Sequence, residues 1–197
     1  LRPDRATTLV RVGAQKQFEL PLPLRWWSIG PMWRYEKPQR GRTREFFQWN
    51  IDLIGAGTVA ADAEIVAVAA TFLKEAGLKP DQVAIYVNNR RLLDAAFEKM
   101  EIPRSLWKQV FRVVDKLEKL SGQAWWDYAI ESGLTEKQVG QLQELVNNND
   151  LWKESDELVE FFGLLEAFGI RDYVQYNPKV IRGLDYYTGT VFEAFEL

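Results

Sequence analysis

Residues 45–54 alternate strictly, with Phe47, Trp49, Ile51 and Leu53 pointing one way and Gln48, Asn50 and Asp52 the other. A period of two belongs to an extended strand, whose successive side chains leave opposite faces. An antiparallel strand with one covered face normally gives the other to water. The apolar side is therefore expected to meet a core and the polar side to meet solvent or a ligand. Just upstream, Arg34, Lys37, Arg40, Arg42 and Arg44 surround a Pro38…Gly41 turn. Strand-like sequence near 31–36 completes a long hairpin, whose loop exceeds the tight two-residue kind, as suits a loop with a binding role. An amide and a carboxylate beside clustered guanidinium groups suit a ligand with both a phosphate and a polar organic end. The bland alternative is a solvated basic turn.

The rest of the composition narrows the chemistry. The 197 residues are 47% hydrophobic and 13% aromatic with eight Trp, enough for one cored domain or a domain with an inserted lobe. Net charge is −3, so anion binding must come from a local patch and not from a basic coat. The absence of Cys excludes thiol chemistry, disulfides and thiolate metal sites in this chain, and the absence of His removes His-based triads. Arg, Asp/Glu, Tyr and Gln remain, with a divalent ion on oxygen ligands. No membrane-spanning run and no signal peptide are visible, and a cytoplasmic compartment is the simplest expectation. The chain opens on Leu1-Arg2-Pro3 and stops inside a strand-like run at Leu197, so both ends read as cut from something longer.

Periodicity and caps predict the other elements. Residues 4–12 suit a short helix, with Leu9, Val10 and Val12 apolar. A strand is expected over 24–29. Residues 59–76 form the clearest helix, with Ile65, Val68, Ala69, Phe72, Leu73 and Ala76 sharing a face before a Gly77…Pro80 stop. Val83–Val87 reads as a buried strand, followed by a helix near 90–99. Leu106, Val110, Val113, Leu117 and Leu120 form one amphipathic seam. Thr135 with Gln138 makes a capping box, and Ser155 caps a helix carrying Leu158, Phe161, Phe162, Leu165 and Phe168. Strands resume near 172–177 and 181–196. The pattern is α+β, organised as a first part of a core over 1–102, a helical insertion over 103–152 and a return to the core over 153–197. Trp125, Trp126 and Trp152 are expected to pack.

Two further clusters accompany the arginine turn. Arg182-Gly183-Leu184-Asp185-Tyr186-Tyr187-Thr188-Gly189 sets an Arg/Asp/Tyr/Tyr group between glycines, where tyrosines can bond a polar ring and wall it from water. An ordinary β-bulge is the plain alternative. Asp4, after Pro3, could receive an ammonium group or simply cap the first helix.

Arg34-Tyr35-Glu36-Lys37-Pro38-Gln39-Arg40-Gly41-Arg42…Arg44-Glu45…Gln48 resembles the second motif of class II aminoacyl-tRNA synthetases. The 182–189 run resembles the histidine-specific motif of histidyl-tRNA synthetase, and the similarity covers nearly the whole chain. The resemblance implies a class II antiparallel sheet of six strands flanked by helices, with an inserted helical lobe. It implies ATP-dependent activation of histidine to histidyl-adenylate and transfer to tRNA(His), with Mg2+ accompanying ATP and a homodimer for the full-length parent. By position, Arg34 and Arg182 would clamp the α-phosphate as the catalytic pair, with Glu36 and Arg42 near the adenine and outer phosphates. Asp4 and Gln48 would receive the amino group, and Asp52, Tyr186 and Tyr187 would serve the histidine side chain. The nucleophile is already a carboxylate, so no general base is needed, and two preorganised guanidinium groups can stabilise charge on the phosphoryl oxygens. Asp4 and Asp52 stand where members of the family have Glu, and Ala6 where they have Thr. With the first and third class II motifs and the anticodon-binding domain absent, the isolated chain is expected to be inactive. A histidine-sensing paralogue, like the regulatory subunit of ATP phosphoribosyltransferase, and a non-catalytic synthetase-like module are the rival readings.

Overall fold

A computed structural model describes residues 6–16, 18–35, 37, 39, 42–117, 119–120, 122–181 and 187–197. The chain divides into two compact units, residues 1–61 and 62–197.

The first unit carries helix α1 (Ala6–Gln15) and the hairpin of β1 (Leu24–Trp33) and β2 (Glu45–Ile54). The strand expected over 24–29 and the hairpin arm expected near 31–36 are one strand, pairing with β2 along its whole length from Leu24↔Ile54 to Trp33↔Glu45. The peptide bond between Leu22 and Pro23, just before β1, is cis.

The hairpin corrects one expectation. The apolar face is the open one: Trp27 is 70%, Ile29 62% and Phe47 75% exposed. The face carrying Gln48, Asn50 and Asp52 is half-buried, and it also holds the buried Leu24 and Met32. Alternation reveals that two faces differ, but which face is covered depends on the rest of the fold.

The second unit is built on a three-stranded sheet in the order β4-β3-β5, with β3 (Val83–Asn89) central, β4 (Val174–Tyr176) and β5 (Thr190–Glu196). β3 runs parallel to β4 (Ile85↔Val174) and antiparallel to β5 (Val83↔Glu196). The expected antiparallel pairing is joined by one parallel pair, and the described residues form five strands in two sheets. β3 is buried along both faces, as its continuous Val-Ala-Ile-Tyr-Val run demands.

Helix α2 (Val59–Glu75) appears where its periodicity places it, but Ala63, Val66 and Ala70 are its wholly buried positions while Phe72 is 52% exposed. The helix is apolar nearly all round, so its sequence does not select a face, and small residues allow the closest approach. Helix α3 (Arg90–Lys99) follows β3 directly, capped by Asn89. The expected long seam breaks: α4 (Trp107–Asp115) buries Val110 and Val113 and then ends, leaving Leu117 and Leu120 only half-buried. Helix α5 (Gly122–Glu131) was not legible, although its Trp125 packs as expected and donates to the Val113 carbonyl at 2.8 Å. The Thr135/Gln138 capping box opens α6 (Glu136–Asn147), with both reciprocal bonds present. Ser155 caps α7 (Asp156–Ala167), which buries Leu158, Phe161, Phe162 and Leu165, whereas Phe168 is half-exposed. Gly169 ends α7 at φ +68°, a conformation few other residues adopt.

Candidate active site

Directly opposed residues of an antiparallel pair project to the same side. Gln48 lies opposite Gly30 and Asp52 opposite Trp26, with Asn50 facing Ser28 between them. The backbone N–H of Arg34 donates to the Arg44 carbonyl at 2.9 Å, which continues the ladder one residue past β1. Arg34 therefore keeps the side-chain parity of Met32 and Gly30, and joins Gln48 and Asp52 on one hairpin face. Gly30 contributes no side chain opposite the Gln48 amide, and its own position is buried.

The basic turn is braced from within. The Arg34 guanidinium lies 4.9 Å from the centroid of Phe46, and that of Arg44 5.0 Å from Tyr35. Such stacking restrains an arginine while its N–H fork can still reach an anion. Further out, Gln39 and Arg42 pair through two backbone bonds, Arg42 N to Gln39 O at 2.9 Å and the reverse at 3.3 Å. Thr43 donates its hydroxyl to the Glu45 carbonyl at the root of β2. The side chains of Arg34 and Arg42 are exposed, while Gln48 and Asp52 are half-buried.

In the second unit Tyr187 is 58% exposed and lies just before β5. Asp4, Glu36, Arg182 and Tyr186 lie outside the described residues. Among the described residues, no group of three or more His, Cys, Asp or Glu is placed to hold a metal ion. No helix among them is long and apolar enough to cross a membrane.

Sequence reasoning missed Asn88 and Asn89, the buried polar residues that end β3. The Asn88 amide donates to the carbonyls of Pro178 and Val180, both at 3.1 Å, and so ties down the segment that leads to Arg182. The available signal was an Asn pair closing an otherwise apolar strand, since Asn is depleted from strands and costly to bury unbonded. Tyr176, at the end of β4, is buried with its hydroxyl unpartnered. Burial first, and the nearby Glu154 carboxylate second, push that hydroxyl above the ordinary tyrosine range.

The fold is that of the class II synthetase-like cores. A histidyl-tRNA synthetase from Nostoc superposes with a TM-score of 0.85 over 98% of this chain and 49% of that one, at 22% identity. A Bacillus halodurans protein described as an ATP phosphoribosyltransferase regulatory subunit/histidyl-tRNA synthetase superposes at 0.82, also at 22% identity, over all of this chain and 54% of its own. At that identity these likenesses establish the fold. The family model for histidyl-tRNA synthetase matches residues 1–197, and the chloroplastic/mitochondrial histidine–tRNA ligase of Arabidopsis thaliana is 35% identical over the entire chain. The chain belongs to the histidyl-tRNA synthetase family. It spans 42% of the Arabidopsis relative's length.

Proposed function

We infer that the chain is part of a catalytic domain that activates histidine with ATP to histidyl-adenylate and passes it to tRNA(His). The reading is carried chiefly by one observation, the register that sets Arg34, Gln48 and Asp52 on a single hairpin face. In this reading Arg34 neutralises charge on the α-phosphate as the histidine carboxylate attacks it and pyrophosphate leaves. A guanidinium fork suits that task because it is permanently charged and planar. Arg182 serves the same phosphate from the histidine motif, and Glu36 and Arg42 hold the adenine and outer phosphates. Asp4 and Gln48 receive the α-ammonium group, while Asp52, Tyr186 and Tyr187 read the imidazole. A site that bonds a buried polar ring rejects ligands that cannot return those bonds. The Mg2+ that travels with ATP would be carried by the nucleotide's own phosphates, since the described residues supply no cluster for it. The full-length protein would act as a homodimer in the cytoplasm, with residues 103–152 as a helical insertion in its catalytic core.

Histidine-dependent ATP–pyrophosphate exchange by the longer protein tests this. Exchange that requires histidine supports the reading. Histidine binding without exchange would replace it with a histidine-sensing paralogue, an alternative favoured by the shared fold of the Bacillus halodurans protein. Failure to bind either histidine or ATP would leave a non-catalytic module.

A further inference from the structure

The end of β3 spends two wholly buried side chains on polar contacts, and those contacts converge on the two flanks of the histidine motif. On the upstream flank, the Asn88 amide bonds Pro178 O and Val180 O, and the Asn177 N–H bonds Val87 O at 3.0 Å. On the downstream flank, Asn89 pairs with Thr190, and the Arg90 N–H donates to Gly189 O at 2.9 Å. A cross-brace completes the arrangement. The Asn89 Oδ1 accepts from Arg91 N at 2.8 Å, its amide donates to Glu157 Oε2 at 3.0 Å, and Glu157 Oε1 pairs with Arg91 Nη1 at 3.1 Å. The Arg91 guanidinium then covers Gly189 so closely that a Cβ there would lie 2.9 Å from Nη2.

All these contacts lie within residues 62–197 and involve described residues alone. Both buried amides use their donor and their acceptor, which is the condition for burying them without a large penalty. Capping α3 needs only the Asn89 oxygen, and capping alone would not require the Glu157 tie or the Asn88 bonds to the carbonyls of Pro178 and Val180. The bonds to Pro178, Val180 and Gly189 go to main-chain carbonyls, so they hold the path of the chain whatever side chains it carries.

We propose that the Asn88-Asn89-Arg90-Arg91 run, braced by Glu157, is a positioning frame for the histidine motif. It pins residue 180 on one side and residue 189 on the other, and so fixes the chain at both ends of the motif, next to Tyr187. These are positioning residues that act through the motif. The inference rests on the histidine-binding reading above.

Arg91 and Gly189 give the cleanest test, because Arg91 is 63% exposed and neither residue contributes core volume, whereas replacing Asn88 or Asn89 endangers folding. In the longer protein, Arg91→Ala should raise the histidine KM roughly tenfold, as small misplacements of positioning groups do. The ATP KM and the thermal midpoint should stay unchanged. Gly189→Ala should do the same by displacing the Arg91 tip, and Arg91→Lys should recover part of the loss. The double variant Arg91→Ala/Gly189→Ala should be no worse than the poorer single, because both break one contact. Exchange with an unchanged histidine KM, additive losses, or a matching rise in ATP KM would overturn the frame while leaving the activity standing. If the wild type binds histidine calorimetrically without exchange, weakened binding in Arg91→Ala upholds the frame although adenylation falls. If the wild type does not bind histidine, both fall.

Discussion

The β1–β2 hairpin and the β4-β3-β5 sheet use similar residues to opposite ends. β3 is apolar on both faces, covered on both, and closes on two Asn whose amides each donate and accept. The hairpin alternates, keeps its polar face half-covered and leaves Trp27, Ile29 and Phe47 open. One sheet is covered on both faces of its central strand and holds the chain beside it through main-chain carbonyls. The other presents charged and amide side chains whose positions follow from register. The contrast shows that one chain can finish one sheet with buried amides and leave a strand face of another half-open.

The sharpest way to break the comparison is through the core. Phe161 is wholly buried and stacks edge-on against Phe162 at 5.4 Å, so Phe161→Ala should cost about 3–5 kcal/mol in urea unfolding. A loss under about 1 kcal/mol would show that the second unit is not the close-packed partner described here. Next comes the hairpin's chemistry. Arg34→Ala should lower the pyrophosphate-exchange kcat of the longer protein by about 10²–10³-fold, the usual cost of a lost charge-stabilising donor. Arg34→Lys should restore little, because a point charge does not replace a planar fork. An unchanged rate would remove Arg34 from the phosphate.

Tyr176 offers a smaller effect with a defined sign. Its hydroxyl titrates above the ordinary value near 10 in the folded chain, owing first to burial and then to Glu154. Below about pH 10 both states keep the proton, and above it the unfolded chain ionises first, so stability falls as pH rises. Tyr176→Phe should flatten that alkaline fall and should be neutral or stabilising by up to about 1 kcal/mol near pH 7, since the hydroxyl has no partner. Urea midpoints followed across the alkaline range decide it, and an identical pH slope in the variant would refute it. Smallest of all, Phe47→Ser on the open hairpin face should shift stability by no more than about 0.5 kcal/mol in this chain. A loss approaching that of Phe161→Ala would mean the face is covered in solution.

Local signals were read well where they act within a few residues. The Thr135/Gln138 box and the Ser155 cap each state a backbone need that a neighbour meets. Of the candidate site, the hairpin part could be placed from the sequence pattern. Alternation places Gln48 and Asp52 on one face, and the paired strands add Arg34 to it. What escaped was anything dependent on distant packing. The buried side of α2 was misjudged because the helix is apolar nearly all round, and the seam from Leu106 to Leu120 looked continuous although its helix ends at Asp115.

By itself, then, the sequence determined the periods, the caps, the arginine turn and the motifs that place the chain in its family, because all of these are short-range demands on backbone and side chain. Only the tertiary structure decided which hairpin face lies open and that the Asn88–Arg91 run bonds the 178–180 segment, Glu157 and Gly189. The second outcome depends on residues some seventy to a hundred positions away, through Glu157, Pro178, Val180 and Gly189. A buried amide's partners are chosen by what the fold brings to it, and no local pattern names them.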